Sequence, residues 1–307
     1  MAHRIEDYFP TTSPPNLRVK NIAAPPASAA RPDPSNIAQA LTPVRDLLVG
    51  KTLAFITGAG LSTDSGLPDY RSPGSPPRHP ITLQQFMGDY RWRRHYWARN
   101  HQGWFGPQLA QPNAGHFALA ELEHRGVVNG LITQNVDRLH SRAGSRNVVD
   151  LHGRYNEVLC TECGEITSRQ SLHERLEALN PGFRIADPRV MDIAPDADAS
   201  VADTTGFRIV NCLKCGGILR TNVVFFGGKV PHDDVVHARE IVSDADALVV
   251  AGSSLAVGSA MRFVRQAAKE NKPVVMINRG PTRGDKYATL NVHIGTSTAL
   301  PWLAQHL

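Results

Sequence analysis

Four cysteines have the spacing that is most informative about chemistry in this chain. They form two C-x-x-C pairs, Cys160-Thr-Glu-Cys163 and Cys212-Leu-Lys-Cys215, and no other cysteine occurs in the 307 residues. Four thiolates complete the tetrahedral shell of a structural zinc ion and leave no position for a reactive water. Two disulfides are the alternative, although closely spaced pairs suit a metal better. We therefore predict one zinc ion that stabilises the fold and takes no part in the reaction.

A histidine after a predicted strand is the candidate base. His152 follows the apolar run at residues 147–151, and the carboxyl ends of parallel strands are where open α/β folds place their chemistry. Imidazole titrates near neutral pH and can take a proton from a hydroxyl. Taken singly, any of the 13 histidines is more often a surface or hydrogen-bonded residue. His116 and His140 lie in predicted helices, and we interpret both as structural.

The elements that would position these residues alternate between short apolar runs and helical patterns. Runs that are apolar on both faces indicate a parallel sheet covered on two sides. We therefore predict an α/β fold with a doubly wound, Rossmann-like parallel sheet. The predicted strands are residues 52–57, 130–133, 147–151, 221–226, 247–251 and 273–277.

Composition divides the chain into a leader and two domains. Residues 1–36 are rich in Pro, Ala and Ser and are expected to be a flexible leader. Residues 37–154 and 221–307 are expected to form the Rossmann-like domain, with residues 72–115 as a helical insertion. Residues 155–220, which carry all four cysteines, are expected to form the small zinc-binding domain, so that the insertions make a smaller lobe over the sheet edge.

A glycine turn directly follows the first predicted strand. At Gly58-Ala59-Gly60 the missing side chains would let backbone N–H groups approach a pyrophosphate. A G-x-G sequence alone is more often just a tight turn. The residues that follow, up to Arg71, are much more specific.

The stretch from Gly58 to Arg71, GAGLSTDSGLPDYR, resembles the signature of the sirtuins, the NAD-dependent protein-lysine deacylases. Further sirtuin-like blocks follow in the family's order, and the similarity covers residues 40–307. They are TQNVD at 133–137, LHG at 151–153, VVFFG at 223–227, GSSL at 252–255 and NRG at 278–280. Residues 96–100, 111–113 and 280–285 further resemble the class II branch, which includes a mitochondrial member.

The resemblance implies a site for NAD as a consumed co-substrate. It implies that the glycine turn holds the pyrophosphate, that Ser253 and Ser254 lie near the ribose, and that Asn278 lies near the adenosine. The carboxamide of nicotinamide needs both a donor and an acceptor in its pocket. The residues expected to bind NAD are Gly58, Ala59, Gly60, Asp69, Tyr70, Arg71, Gln134, Asn135, Asp137, Gly252, Ser253, Ser254, Asn278, Arg279, Gly280 and Ile294.

The resemblance also implies the reaction. The amide oxygen of an acyl-lysine attacks the ribose carbon that bears nicotinamide, and nicotinamide leaves. His152 then deprotonates a ribose hydroxyl, and the products are free lysine and O-acyl-ADP-ribose. The implied catalytic residues are His152, Asn135 and Asp137. Without the resemblance, TQNVD at 133–137 would be read as a strand end with caps.

Substrate residues follow partly from the resemblance and partly from spacing. The acylated peptide is expected to lie between the two lobes, paired with Val223, Phe225, Phe226 and Gly227 and with the segment after Ser254. The family's Lys-Pro before this block is Thr221-Asn222 here, the acid after it is Gly228, and the family's Phe before Arg71 is Tyr70, so substrate preference could differ.

A tyrosine and an arginine on the insertion bear on the acyl group. Tyr96 and Arg99, three residues apart on a predicted helix, could present a hydroxyl and a guanidinium to an acidic acyl group. Relatives that remove acidic acyl groups use a similar pair. The same two residues could instead pack the lobe.

Two other functions remain open. The same cleavage of NAD could transfer ADP-ribose to a protein nucleophile. A zinc module that binds nucleic acid would use the net charge of +5, which includes six arginines between residues 71 and 105. Those arginines could equally face phosphates or an acidic substrate, or form a solvated helix face. Residues 155–220 hold ten acidic against seven basic residues, which is poor for gripping phosphates.

The bulk composition sets the remaining expectations. A content of 41% hydrophobic and 20% charged residues, with no apolar run of eighteen, is typical of a soluble globular protein. We expect a cytoplasmic monomer whose partners are acyl-lysine proteins or peptides, with no requirement for a membrane or nucleic acid. The mitochondrial matrix stays open for a eukaryotic source.

Overall fold

A computed structural model of the chain describes residues 33–69, 80–183, 201 and 203–307. Most of the predicted leader, together with Tyr70 and Arg71, lies outside the described residues. Within the described part, no helix has both the length and the apolar character needed to cross a membrane.

Helices and strands alternate along much of the chain. Among the described residues the α-helices are α1 (Ile37–Leu48), α2 (Leu83–Gly88), α3 (Tyr90–Gly103), α4 (Phe105–Leu109), α5 (Ala114–His124), α6 (Leu139–Ala143), α7 (Arg169–Leu179), α8 (His232–Asp244), α9 (Gly258–Lys269) and α10 (Thr296–His306). The strands are β1 (Leu53–Thr57), β2 (Val128–Thr133), β3 (Val148–Asp150), β4 (Gly153–Cys160), β5 (Ile166–Ser168), β6 (Leu219–Val223), β7 (Ala247–Ala251), β8 (Val274–Ile277) and β9 (Leu290–Val292).

The fold divides into two compact units. Among the described residues, the large unit comprises 33–69, 109–153 and 230–307, and the small unit comprises 80–108, 154–183, 201 and 203–229. The large unit holds a six-stranded sheet in the order β3-β2-β1-β7-β8-β9. All neighbouring strands in this sheet are parallel. This is the doubly wound Rossmann-like sheet predicted from the sequence.

Alternate residues of the strands of the large unit enter two separate cores. Phe55 points into the core that contains residues of α1, α5 and α10. Its neighbour Ile56 points into the core that contains residues of α8 and α9. Because both faces of the sheet are covered, strands such as β7 are apolar at every position and fully buried.

The small unit is built on a three-stranded sheet in the order β5-β4-β6. Strands β4 and β5 pair in antiparallel fashion. Its core joins aromatic residues of α2 and α3, among them Phe86, Trp92 and Trp97, to Leu172 and Leu176 of α7. The helix predicted around residues 91–100 is α3.

One predicted strand belongs to a different sheet from the one we expected. Residues 221–226 were predicted as a strand of the parallel sheet, but the strand is β6, which ends at Val223 and lies in the three-stranded sheet. The end of the strand was predicted too late because the apolar run continues past Val223 for a reason other than strand pairing. Phe225 is buried by side-chain packing against Phe86 and Tyr96, with ring centroids 5.1 and 5.0 Å away.

The end of the predicted leader is tied to the large unit. The carboxylate of Asp33 accepts hydrogen bonds from the main-chain N–H of Gly295 at 2.8 Å and from the hydroxyl of Thr298 at 2.7 Å. Asn36 caps α1, its side chain accepting from the N–H of Gln39 at 3.0 Å. The described structure therefore includes residues 33–36, the last four residues of the predicted leader.

Candidate active site

The glycine turn after β1 lies directly against the loop after β7. The N–H of Gly60 donates to the carbonyl of Gly252 at 2.9 Å. A Cβ added to Gly60 would lie 2.8 Å from that carbonyl oxygen, and one added to Gly58 would lie 2.8 Å from Cβ of Ser253. Gly252 itself has φ of +65°. Glycine is therefore required by close approach at Gly58 and Gly60 and by backbone conformation as well at Gly252.

The segment after β2 is bonded to both of these loops. The side-chain amide of Gln134 donates to Oγ of Ser253 at 2.6 Å. The amide of Asn135 donates to the carbonyl of Gly58 at 3.1 Å and to Oγ of Ser62 at 3.0 Å. Strands β1, β2 and β7 are neighbours in the sheet, so their carboxyl ends bring the three segments together.

Asp137 is a buried carboxylate at the start of α6. It accepts a hydrogen bond from the hydroxyl of Ser62 at 2.7 Å and one from the N–H of Leu139 at 2.9 Å. Burial raises the pKa of Asp137, while these two hydrogen bonds oppose that rise. Ser62 thus links Asp137 to Asn135 through a single hydroxyl.

His152 lies just beyond β3, and its imidazole has a partner at each nitrogen. Nδ1 lies 2.9 Å from the main-chain oxygen of Gln134, and Nε2 lies 2.7 Å from Oγ of Ser259. Burial lowers the pKa of His152 to about 4, against the opposing effect of the Gln134 carbonyl. The ring is therefore neutral at physiological pH, with Nδ1 protonated and the lone pair on Nε2.

Two further histidines, His116 and His140, lie behind the segment that follows β2. Nε2 of His140 lies 2.8 Å from Oγ1 of Thr57, whose carbonyl accepts from the N–H of Gln134 at 3.0 Å. His116 is fully buried and meets His140 edge to face, with ring centroids 5.1 Å apart. These contacts give His116 and His140 structural roles that agree with their interpretation from the sequence.

The adenosine-side candidates lie at the end of β8. The side-chain amide of Asn278 donates to the carbonyl of Gly280 at 2.8 Å, and this hydrogen bond stabilises the turn at residues 278–280. Arg279 contacts Asp33 at 3.5 Å, and Ile294 is buried in the core. Of the remaining predicted residues, Asp69 and Ser254 are partly buried, and Tyr70 and Arg71 lie outside the described part of the chain.

The four cysteines of the small unit come together as a metal site requires. Sγ of Cys160 and Cys215 are 3.5 Å apart, Sγ of Cys163 and Cys212 are 3.9 Å apart, and all four sulfurs lie within 4.8 Å of one another. A tetrahedral zinc with Zn–S bonds of about 2.3 Å would separate its sulfurs by about 3.8 Å. All four thiols are free of disulfides. The cluster therefore fits the predicted zinc ion, and its sulfur separations are longer than the S–S bond of about 2.05 Å in a disulfide.

A second group of potential ligands in the small unit has a simpler explanation. His101, His173 and Glu177 place ligand atoms within 4.8 Å of one another. Nε2 of His101 is already 3.0 Å from Glu177, and the two imidazoles are stacked. Burial is the main cause that lowers the pKa of both histidines, the nearby buried guanidinium of Arg169 adds to it, and this guanidinium would repel a cation. We interpret this group as packing.

The predicted peptide-binding stretch of the small unit already uses several of its carbonyls. The carbonyl of Val223 accepts from Arg220, and that of Phe225 accepts from the N–H of Gly228. The carbonyl of Phe226 accepts from the N–H of Leu83 at 2.9 Å, and that of Gly227 accepts from the amide of Gln84 at 3.3 Å. A peptide strand could pair with only part of this stretch.

Tyr96 and Arg99 have different surroundings within the small unit. The hydroxyl of Tyr96 is buried and lies 2.5 Å from Oγ1 of Thr221. Arg99 is partly exposed, and its guanidinium lies 3.3 Å from Nε2 of His95. The tyrosine hydroxyl is thus occupied by the threonine that departs from the family's Lys-Pro.

Sequence reasoning missed three residues that the structure brings to the site. Ser62, Thr57 and Ser259 each carry a hydroxyl bonded to a predicted site residue or to its support. Ser62 lies two residues after Gly60, within the stretch that resembles the sirtuin signature, which is a signal that could have been used. Ser259 lies seven residues beyond Gly252, on the first turn of α9, and nothing in its local sequence marks it.

Comparisons with known proteins agree with this geometry. The model of the Sir2 family matches residues 58–259. NAD-dependent protein deacetylase 1 of Mycobacterium avium (strain 104) is 54% identical over 263 residues, covering 85% of this chain and 93% of that protein. NAD-dependent protein deacetylase 1 of Streptomyces coelicolor is 47% identical over 271 residues, covering 87% and 90%.

A solved structure shares the fold. A structure described as Sir2 with a p53 peptide and NAD⁺ superimposes with a TM-score of 0.69 at 29% identity, covering 86% of this chain and 97% of the other. The family model spans well over half of the chain, and the two relatives cover 85% and 87% of it. The chain belongs to the Sir2 family, the sirtuins.

Proposed function

We propose that the protein removes acyl groups from lysine side chains and consumes NAD as a co-substrate. One observation carries the proposal: hydrogen bonds join the glycine turn at Gly58 and the loop at Ser253 to Gln134 and Asn135, and Gln134 in turn holds His152. A dinucleotide-binding turn and a neutral imidazole base are thus joined in a single network. The relatives named NAD-dependent protein deacetylases support the same reaction.

The glycine turn would bind the pyrophosphate of NAD. Backbone N–H groups at a turn of this kind can form an anion site without a side-chain charge, and because the N–H of Gly60 already donates to Gly252, the contacts would come from the rest of the turn. Gln134, Asn135 and Asp137 would hold nicotinamide and its ribose, because amide and carboxylate groups supply both donors and acceptors. Their existing hydrogen bonds to Ser253, Gly58 and Ser62 keep them oriented before the ligand arrives.

His152 would act as the general base once nicotinamide has left. The acyl-lysine oxygen bonds to the ribose carbon as the bond to nicotinamide breaks. Nε2 then takes a proton from a ribose hydroxyl, whose oxygen attacks the acyl carbon. With water, the products are free lysine and O-acyl-ADP-ribose. The hydrogen bond from Nδ1 to the Gln134 carbonyl leaves the Nε2 lone pair available for this proton.

One zinc ion on the four cysteines would stabilise the small unit. A closed tetrahedral thiolate shell contributes folding free energy and no reaction step. The acylated peptide would pair its main chain with the stretch from Val223 to Gly227, a mode that tolerates varied sequences. Complexes of Sir2 relatives with peptides support this class of substrate.

The acyl group and the cellular setting stay predictions. Selectivity for acidic acyl groups would need the Tyr96 hydroxyl, which Thr221 already occupies, so Arg99 is the better candidate for a contact with an acyl carboxylate. Membership of the class II branch and a cytoplasmic monomer without nucleic acid also stay predictions.

A panel of acetyl-, succinyl-, glutaryl- and lipoyl-lysine peptides tests the proposal. We expect release of nicotinamide and O-acyl-ADP-ribose in equal amounts with at least one peptide. Arg99→Met should lower only the activities on acidic acyl groups if Arg99 contacts them, and an equal loss on all peptides would show a general role. Label from NAD retained on protein, without O-acyl-ADP-ribose, would instead establish ADP-ribosyl transfer.

A further inference from the structure

The hydroxyl of Ser259 is bonded to the base atom of the candidate catalytic histidine. Oγ of Ser259 lies 2.7 Å from Nε2 of His152, the nitrogen that would receive the ribose proton. Ser259 is the second residue of α9 and belongs to no motif identified in the sequence. The reaction described above gives it no role.

The direction of this hydrogen bond follows from the other side of the ring. Nδ1 of His152 lies 2.9 Å from a carbonyl, which can only accept, so Nδ1 carries the proton. In a neutral imidazole Nε2 is then the acceptor, and the hydroxyl of Ser259 must donate to it. The two bonds hold opposite sides of the ring, and together they fix its rotation.

The segment that carries Ser259 is itself fixed at its other end. Ser253 Oγ accepts from Gln134 at 2.6 Å, and Gln134 is the residue whose carbonyl binds His152. Between the two serines the chain passes through Leu255, which is buried and has φ of +54°, so this loop has a defined conformation. A closed chain of contacts therefore runs from Ser259 through His152 and Gln134 to Ser253, and the loop after β7 joins its two ends.

We propose that Ser259 is a positioning residue that holds the imidazole of His152 with Nε2 directed at the ribose hydroxyl. Before the ribose arrives, the serine hydroxyl satisfies Nε2 of the partly buried imidazole, where an unpaired acceptor is costly. When the ribose hydroxyl donates to the same lone pair, the serine hydroxyl gives way while the ring stays oriented. This inference rests on the proposed function, in which His152 acts after nicotinamide has left.

Ser259→Ala tests the proposal in two ways. Formation of O-acyl-ADP-ribose should slow by about threefold to tenfold, the effect expected for one lost hydrogen bond. Exchange of labelled nicotinamide into NAD reports the earlier cleavage step, and it should be unchanged. Ser259→Thr keeps a hydroxyl and should restore most of the rate. Ser243→Ala, which removes an exposed hydroxyl bonded to Gln266, should match the wild type.

The pH profile gives a readout that a merely structural role would not move. Burial lowers the pKa of His152, the hydrogen bond to the Gln134 carbonyl opposes this shift, and among the described residues no charged side chain contributes. A donated hydroxyl favours the neutral imidazole, so its removal should raise the pKa of His152. The acid limb of kcat/KM should therefore move to higher pH in Ser259→Ala and stay in place in Ser259→Thr.

Two results would overturn the proposal. If Ser259→Ala changed neither the rate of product formation nor the acid limb of kcat/KM, the hydrogen bond would be incidental. Equal loss of exchange and product formation, with a lowered melting temperature, would mean that Ser259 only supports the fold. Failure of the proposed function is distinguishable, because the wild type itself would then release no nicotinamide.

Discussion

The Nδ1 atom of His152 is held by the main-chain oxygen of Gln134, one residue past the end of β2 and 2.9 Å away. A backbone partner cannot be removed by substituting Gln134, so the tautomer of the base is fixed by the sheet itself. The side chain of the same residue reaches Ser253 in the loop after β7. Gln134 thus orients both the base and one wall of the candidate nucleotide pocket.

Removal of the imidazole of His152 should abolish activity without destabilising the fold. We expect His152→Ala to lower formation of O-acyl-ADP-ribose by at least about a hundredfold, the lower end for loss of a general base. The melting temperature should stay near that of the wild type, because His152 lies beyond the end of β3 and outside both cores of the large unit. Turnover of His152→Ala at the wild-type rate would exclude His152 as the base.

The depressed pKa of His152 predicts the pH dependence of the wild type. A base acts when it is neutral, so activity is present above its pKa and is lost as pH falls through that value. With the pKa lowered to about 4 by burial, kcat/KM should persist well below pH 6.5. An acid limb centred at or above pH 6.5 in the free enzyme would contradict the buried environment of His152.

Buried histidines should also make the folded state sensitive to acid. Burial lowers the pKa of His95, His101 and His116 to about 4, whereas the unfolded value is near 6.5. The unfolded chain therefore binds more protons between these values, and stability should fall as pH drops from about 6.5 toward 4. Denaturant unfolding at several pH values measures the slope.

Two substitutions provide the matched comparison for that slope. His116→Asn should flatten it, because a neutral amide replaces one of the buried groups. His124→Asn should not, because His124 is exposed at the end of α5. A slope that is unaffected by His116→Asn would show that this histidine is not titrating as its burial requires.

The close approach of two loops predicts the cost of a methyl group at Gly60. In Gly60→Ala the new Cβ would lie 2.8 Å from the carbonyl oxygen of Gly252, so the backbone must shift. We expect a loss of about 1–3 kcal/mol in the free energy of unfolding and a KM for NAD that rises more than that for peptide. Gly88→Ala, whose Cβ would meet nothing within 4 Å, is the control. Equal behaviour of the two variants would remove the argument for a tightly packed turn.

The cysteine cluster predicts one zinc ion per chain. Metal analysis of the purified protein should give a ratio near one, and Cys215→Ala should lose most of the metal and lower the melting temperature. Lys214→Ala removes an exposed ion pair with Glu165 and leaves all four thiols in place, so it should keep the metal and the melting temperature. Full zinc content in Cys215→Ala would place the metal elsewhere.

The sequence predicted most of the large unit because its strands are apolar on both faces. Strands β1, β7 and β8 were predicted nearly to the residue for this reason. Strand β9 was missed because it has only three residues and an exposed centre. The prediction that β6 belongs to the parallel sheet was wrong, because hydrophobic periodicity identifies a strand and does not say which strand it pairs with.

The candidate site was predictable only where residues lie next to recognisable motifs. Gly58, Gln134, Asn135 and His152 each sit within such a block. Ser259 was missed because its role depends on the path of the loop after β7, which sequence spacing does not determine. The position of Tyr96 on α3 was predictable, but the bond from its hydroxyl to Thr221, 125 residues away, was not.

Release of nicotinamide from NAD in the presence of acylated peptides tests the central claim most directly. The purified protein should liberate nicotinamide only when an acyl-lysine peptide is present, in a one-to-one ratio with deacylated peptide and O-acyl-ADP-ribose by mass spectrometry. If a folded, zinc-loaded protein releases no nicotinamide with any acyl-lysine peptide, the account is contradicted.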